Sequence, residues 1–353
     1  MTISLLNLVG VARVHGGGSA PQHLFVDRSR WPALAAGLYG LLVRSHLLHG
    51  LEFLLALVYY IYFWPWAFAR AATWRADWTL QVTLYTVLCG WALFGFWHVV
   101  MYASPVARGP VRAAKFNPVD QYAGADGRAT LAREVAFTTL GLLQSSAWQC
   151  VYMWLLASGR LPFTAEFWAG GPRAAAANVL SVLAVTYWRQ LHFYAVHRLM
   201  HPWWRAGNGL AHGDVGAFLY RWVHSLHHKS HNPGPWAGLA MHPVEHLFYY
   251  SCCLLPLLAP LHPMHFLYAK FHADVSPLGG HDGHGPPGGN SDYHYIHHAH
   301  FHVNYGAPLP YLNPDRLFGT FVDPALWRAC GKDWAKTLAA ARGEPLEASK
   351  KGH

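Results

Sequence analysis

The stretch 194–201, Tyr-Ala-Val-His-Arg-Leu-Met-His, decides the fold of this chain. A long apolar segment leads directly to it. Two further histidine motifs follow, His-Ser-Leu-His-His at 224–228 and His-Tyr-Ile-His-His at 294–298. In a helix, residues i, i+3 and i+4 project from one face, so each motif can aim two or three imidazoles at one point. The three motifs together supply a core set of eight histidines: His197, His201, His224, His227, His228, His294, His297 and His298.

The composition predicts a chain that is largely surrounded by lipid. Hydrophobic residues make up 53% of the 353 residues and charged residues only 12%, whereas a soluble domain carries about 25% charged residues. The net charge of +9 is spread along the chain without a basic run before its last residues, which argues against a nucleic-acid partner. The five cysteines form no Cys-x-x-Cys pair, so neither a disulfide framework nor a zinc finger is expected.

Four apolar segments, at 47–69, 79–102, 135–157 and 176–188, have the composition of membrane spans, and the last of them continues to the first histidine motif. About 20 apolar residues are needed to cross the hydrocarbon core. A fifth apolar stretch, 247–271, is interrupted by three prolines, and it predicts a re-entrant hairpin that returns to the side from which it came. The expected fold is an all-α membrane protein with four transmembrane helices, a re-entrant helical hairpin and a cytoplasmic His-rich helical cap.

The basic residues predict the orientation of these spans. The loop 104–134 is richer in basic residues than the two loops that flank it, and the positive-inside rule places it in the cytoplasm; it carries Arg108, Arg112, Lys115, Arg128 and Arg133. Four crossings then place both termini and all three histidine motifs on the cytoplasmic side. The last residues, Lys-Lys-Gly-His at 350–353, have the dilysine form of a retrieval signal of the endoplasmic reticulum.

This organisation predicts four regions along the chain. They are an N-terminal cytoplasmic segment at 1–32, an N-terminal transmembrane region at 33–179, a catalytic region at 180–323 and a C-terminal cytoplasmic tail at 324–353.

The histidine count favours two metal ions over one. Neutral imidazole suits Fe, Zn, Cu and Ni, and eight imidazoles exceed the four to six ligands of one ion. A catalytic zinc site usually keeps three protein ligands, so a mononuclear zinc hydrolase is not expected. Four acids near the motifs are candidates for orienting the imidazoles through their second ring nitrogen, or else are solvated surface acids: Asp282, Asp292, Glu245 and Asp274.

Other histidines are further candidates for the metal site. His281, in the run Gly-His-Asp-Gly at 280–283, is the strongest of them, and His284, His272 and His242 are weaker. A Gly/Pro-rich run at 283–289 leaves open whether His281 or His284 completes the ligand set.

The motifs resemble those of the fatty acid hydroxylase / sterol desaturase superfamily of integral-membrane di-iron oxygenases. The resemblance covers about residues 180–323 and follows the order of the superfamily's motifs, which here begin at Tyr194, His224, His242, Gly280, Tyr293, Asn304 and Asp315. It implies that the eight core histidines and His281 bind two non-haem iron ions. It also implies O₂-dependent hydroxylation or desaturation of a lipid C–H bond, with a sterol or a fatty-acyl substrate, and electrons from an external donor such as cytochrome b5 and its reductase.

Two other functions remain open at this point. The first is cleavage of a fatty aldehyde or an alkyl ether on the same scaffold. The second is metal transport, but a transporter is expected to hold its ligands inside the spans near the middle of the membrane, whereas these motifs follow the spans.

Overall fold

The structure is a computed structural model that describes residues 47–104, 115–164, 171–203, 214–258, 260–284, 290–307 and 313–329. Over these residues the chain is helical and has no β-strand, apart from one isolated bridge between Lys115 and His284. The all-α prediction is therefore confirmed for the described part. The segment 1–32, the residues Arg108 and Arg112, and the dilysine end lie outside it.

The helices follow one another with short connections. They are α1 (Leu47–Val58), a π-helical turn (Tyr59–Phe63), α2 (Trp64–Phe68), α3 (Ala76–His98) with a second π-helical turn (Val99–Ala103), α4 (Gly124–Ala157), α5 (Gly171–Leu199) and α6 (Val215–Trp222). Two 3₁₀ helices follow, His224–Lys229 and Pro235–Ala237, and then α7 (Pro243–Tyr250), a third 3₁₀ helix (Ser251–Leu257), α8 (Pro263–His281), α9 (Asn290–His300), α10 (Pro314–Leu317) and α11 (Pro324–Ala329).

Within the described part of the chain, two helical stretches are long and apolar enough to cross a membrane, Gly50–Phe68 and Ala76–Ala103. They correspond to the first two predicted spans. The third and fourth predicted spans lie within α4 and α5, which have 34 and 29 residues. At about 1.5 Å per residue both helices exceed the thickness of the hydrocarbon core, and their crossing of the membrane stays a prediction.

The fifth apolar stretch divides where its prolines predicted a break. Pro256 lies inside the third 3₁₀ helix, and Pro263 is at the first position of α8, where proline lacks only a hydrogen bond that the helix does not need. His262 caps α8, because its side chain accepts from the backbone N–H of Met264. Helix α8 does not end at residue 271 but continues to His281, so that one helix leads from this stretch to the histidine motifs. The re-entrant path of this stretch stays a prediction.

Helix α8 forms the centre of the molecule. Almost all of its side chains are buried, and it packs against α1, α5 and α9. A helix that is apolar on all sides belongs in a core, and the charged side chains of α8 are paired there. Lys270 lies 3.0 Å from Asp274, four residues further along the helix.

Candidate metal centre

The structure brings the nine predicted ligands together in two adjacent groups. The first group consists of His197, His201, His224, His228 and His297, and the second of His227, His281, His294 and His298. Within each group the candidate ligand atoms all lie within 4.8 Å of one another, and all nine side chains are buried.

His228 lies at the centre of the first group. Its Nε2 is 3.0 Å from Nε2 of His224, 3.2 Å from Nε2 of His297 and 3.3 Å from Nε2 of His201. Nε2 of His197 lies 3.1 Å from Nε2 of His224. Imidazole binds a metal ion such as zinc at about 2.1 Å, so two ligands at right angles stand about 3.0 Å apart. The observed spacing is therefore that of nitrogens arranged around one ion.

The second group has the same character with four rings. Nε2 of His281 lies 3.2 Å from Nε2 of His227. The centre of the His294 ring lies 4.4 Å from that of His281 and 4.9 Å from that of His298. The two groups are in contact, since the ring centres of His228 and His298 lie 5.0 Å apart.

The two His-x-x-His-His motifs divide between the groups, which differs from the expectation that each motif aims at one point. His224 and His228 enter the first group and His227 the second, whereas His294 and His298 enter the second and His297 the first. Adjacent residues of a helical segment point about 100° apart, or about 120° in a 3₁₀ helix. Each adjacent pair of histidines therefore straddles the boundary between the groups.

Backbone carbonyls hold three of the rings by their other nitrogen. Nδ1 of His197 lies 2.5 Å from the carbonyl oxygen of Tyr305. Nδ1 of His281 and of His297 lie 2.7 and 2.8 Å from the carbonyls of Pro277 and Val303. Since a carbonyl only accepts, each Nδ1 carries the hydrogen, and Nε2 presents a lone pair to the centre of its group.

Hydrogen bonds between the rings cannot satisfy this arrangement. Nε2 of His228 carries at most one hydrogen, so it can bond only one of its three nitrogen neighbours. Among the described residues, Nε2 of His294 and both ring nitrogens of His298 have no hydrogen-bond partner although they are buried. Buried polar atoms without partners are costly, and a cation would satisfy one lone pair of each ring, since a neutral imidazole has one N–H and one lone pair. The donor set therefore fits two metal ions.

Burial keeps these rings neutral. It lowers the pKa of His224 to about 3 and that of His281 to about 4. Burial first, and neighbouring imidazoles second, hold the pKa of His227, His228 and His298 well below the usual range. Neutral imidazole is the form that binds a metal ion.

Of the four candidate acids, Glu245 touches a ring of the first group. Its Oε1 lies 2.7 Å from Nδ1 of His224. Burial raises the pKa of Glu245 well above its usual range and lowers the pKa of His224 to about 3, so burial disfavours the charged form of both partners in this hydrogen bond. A cation bound to His224 would favour the carboxylate form of Glu245.

The other three acids have different partners. Asp274 does not orient an imidazole, because its two oxygens bond Lys270 and Tyr250 at 3.0 Å. Asp292 accepts from Arg328 at 2.7 Å, and Oδ1 of Asp282 accepts from the backbone N–H of His284 at 3.0 Å.

The three weaker histidine candidates lie outside both groups. Nδ1 of His284 is 2.7 Å from the carbonyl of Asp282, and its ring packs edge-on against Tyr102. His272 accepts from Arg189 at 2.7 Å in the helical core. His242 caps α7. The position left open in the sequence is thus taken by His281 and not by His284.

Asp315 organises the loop that carries two of the anchoring carbonyls. Its carboxylate accepts from the backbone N–H groups of Tyr305 and Gly306 at 2.8 and 2.7 Å, and from the hydroxyls of Tyr293 and Thr320 at 2.8 and 2.6 Å. The motif beginning at Asp315 marks this residue in the sequence, but its role emerges only from the fold. The carbonyls themselves carry no signal in the sequence, since every residue has one.

Comparison with known proteins agrees with this site. Residues 182–320 match the profile of the family described as fatty acid hydroxylase. The chain is 26% identical over 200 residues to Delta(7)-sterol 5(6)-desaturase ERG3B of Gibberella zeae, covering 48% of this chain and 52% of that protein. It is 35% identical over 125 residues to Delta(7)-sterol-C5(6)-desaturase of Nicotiana tabacum, covering 30% and 41%.

A relative with another activity matches the same chain. Sphinganine C4-monooxygenase 2 of Arabidopsis thaliana is 26% identical over 159 residues, covering 42% of this chain and 55% of that protein. The chain thus spans about half, or less, of the length of these relatives. No solved structure gives a significant match.

Proposed function

Since the chain belongs, through residues 182–320, to the fatty acid hydroxylase / sterol desaturase superfamily, we propose that it is a membrane-bound di-iron oxidoreductase that hydroxylates or desaturates a lipid C–H bond with O₂. The observation that carries the proposal is the convergence of nine neutral imidazoles in two adjacent groups. The nine would hold two non-haem iron ions. Bound iron would supply the O₂ chemistry by which an unactivated C–H bond is oxidised.

The overall reaction defines what the protein has to receive. Hydroxylation takes one lipid, one O₂, two electrons and two protons, and it yields one alcohol and one water. Desaturation takes the same inputs and yields one alkene and two waters. The resemblance to the superfamily implies an external electron donor. We propose that the two electrons come from a separate protein such as cytochrome b5 with its reductase.

The residues of this chain would prepare the site in two ways. The carbonyls of Tyr305, Pro277 and Val303 orient the rings that they contact before a metal ion binds, which lowers the cost of ordering these rings. The rings are those of His197, His281 and His297, respectively. Phe193 stacks against His197 at 5.0 Å, and it presents an apolar surface beside the first group that suits a hydrocarbon substrate.

A lipid substrate agrees with the apolar surroundings and with the names of the relatives. A sterol, a fatty-acyl chain and the alkyl chain of a sphingoid base remain substrates of the proposed reaction. We propose a multi-pass position in the membrane of the endoplasmic reticulum, with the metal centre on the cytoplasmic side. A metal transporter is disfavoured, because no histidine of the two groups lies in Gly50–Phe68 or Ala76–Ala103.

The test uses the full chain in lipid nanodiscs. We expect about two iron ions per chain by elemental analysis, and NADH-dependent O₂ uptake when cytochrome b5, its reductase and a sterol or acyl lipid are added. With ¹⁸O₂, a labelled lipid alcohol identifies hydroxylation, and a lipid lighter by two hydrogens identifies desaturation.

Three outcomes would contradict the proposal. Iron-loaded chain that consumes no O₂ with either lipid class would exclude the reaction. A shortened product from a fatty aldehyde or an alkyl ether would favour the cleavage activity instead. Metal flux into liposomes without O₂ uptake would favour a transporter.

A further inference from the structure

An apolar groove lies on the outside of the helical bundle, between α3 and α4. It has a volume of about 720 Å³ and is lined along α4 by Leu131, Val135 and Leu140, with Trp91 of α3 at its side. Small-molecule sites usually have volumes of about 300–1,000 Å³, so this open groove can take part of a lipid, such as one acyl chain. Among the described residues of its lining, only Arg128 is charged.

The groove has a direction. Its α4 residues recur every three or four positions from Arg128 to Leu140, so they share one face of the helix. At about 1.5 Å per residue this face is about 18 Å long, and its part from Val135 to Leu140 lies in the third predicted span, 135–157. Arg128 lies at the end that precedes the span, and the apolar residues continue from there into it. The charge therefore lies toward the predicted headgroup level and the apolar surface toward the hydrocarbon.

The two ends differ in how their polar groups are used. The side-chain N–H of Trp91 donates to the hydroxyl of Thr139 at 3.1 Å, so the polar atoms in the apolar part are paired. Arg128 is exposed and has no hydrogen-bond or ion-pair partner among the residues that the structure describes. An unpaired guanidinium beside an apolar channel suits an anionic headgroup with an attached hydrocarbon chain.

From this geometry we propose that the groove binds an anionic phospholipid, with its phosphate at Arg128 and one acyl chain along Leu131, Val135 and Leu140. The proposal rests on the membrane location proposed above but not on the oxidation reaction. Arg128 belongs to the loop 104–134, for which the positive-inside rule predicts the cytoplasmic side. The cytoplasmic leaflet is the one that is rich in anionic lipid.

The groove floor offers the first test. Ala132 and Ala136 are small and exposed, so a larger side chain at position 136 fills the groove without displacing a buried residue. Lipid binding is measured by native mass spectrometry of the detergent-solubilised full chain titrated with phosphatidylserine or phosphatidylcholine. We expect phosphatidylserine to bind about five-fold more tightly, the effect of about one basic side chain near a lipid phosphate. Ala136→Phe should weaken the binding of both lipids.

The charge is tested with a matched pair of variants. Arg128→Gln should remove the preference for phosphatidylserine, and it should weaken the binding of phosphatidylcholine less, because choline balances the charge of that lipid's phosphate. Arg160→Gln is the control, because Arg160 is also an exposed arginine near an end of α4 but packs on Trp154 outside the groove. Its preference should equal that of the unmodified chain.

Several results would overturn the proposal. One is equal binding of the two lipids by the unmodified chain, and another is a preference that Arg128→Gln leaves intact. A photo-crosslinker at position 136 that captures residues 1–46 of the chain, and not lipid, would show another occupant. The iron content of each variant is measured in parallel. If a chain that binds no iron still prefers phosphatidylserine, the proposed oxidoreductase function is contradicted and the proposed lipid site is not.

Discussion

The metal centre and the helical core both bury polar side chains, but they do so in opposite ways. Around Lys270 and Arg189 in the core, donors face acceptors. Lys270 donates to Thr86 at 2.6 Å and pairs with Asp274 at 3.0 Å, and Arg189 donates to Tyr249 at 2.6 Å. In the metal centre, lone pairs converge on one another. A buried set that satisfies itself holds helices together, whereas a set of facing lone pairs requires a cation.

The sharpest way to break this comparison is to remove one ring from the metal centre. His228→Ala should abolish turnover and lower the iron content by at least one ion per chain, because Nε2 of His228 contacts three other rings. Elemental analysis and NADH-dependent O₂ uptake measure the two effects. His231→Ala is the matched control, since His231 is exposed three residues further along. Full iron content in His228→Ala would remove this residue from the ligand set.

The core is tested by breaking its ion pair. Lys270→Met should lower the free energy of unfolding by about 3–5 kcal/mol, because it leaves the buried Asp274 carboxylate without its cation. The double variant Lys270→Met, Asp274→Leu should recover most of this loss, as measured by denaturant unfolding in detergent. If the double variant is no more stable than the single variant, Lys270 and Asp274 do not compensate each other's burial.

A smaller effect is expected when the loop that holds two rings of the metal centre is weakened. Asp315→Asn weakens the loop whose carbonyls hold His197 and His297, and loss of such support typically lowers metal affinity by about 10–100-fold. Competition with a chelator measures the affinity, and the absorption spectrum of the Co²⁺-loaded chain reports the ligand geometry. A lower unfolding temperature with unchanged affinity and spectrum would reduce Asp315 to a structural role.

The last effect concerns the protonation of the metal-free histidines. In the metal-free chain, burial places the pKa of His224 at about 3 and that of His281 at about 4, against about 6.5 in the unfolded chain. Between pH 6.5 and about 3 the unfolded state therefore binds more protons, and stability should fall as the pH falls through this window. Thermal unfolding of the chelator-treated chain measures this. An unfolding temperature that rises on acidification to pH 4 would contradict it.

The gathering of the histidines was predictable because three histidine motifs follow the apolar segments in order, between His197 and His298. The distribution of rings between the groups was not, since His227 and His228 carry the same atoms and differ only in direction. His272 and Asp274 were misleading for a related reason. They have the chemistry of site residues, but α8 turns them toward Arg189 and Lys270, and only tertiary packing determines this.

The division of each His-x-x-His-His motif has a consequence for how the site fills. One short backbone segment supplies both groups, so an ion that fixes His228 and His297 also immobilises His227 and His298. The loss of conformational entropy then falls mainly on the first ion to bind. Loading should be cooperative, with chains carrying a single ion rare at any iron supply.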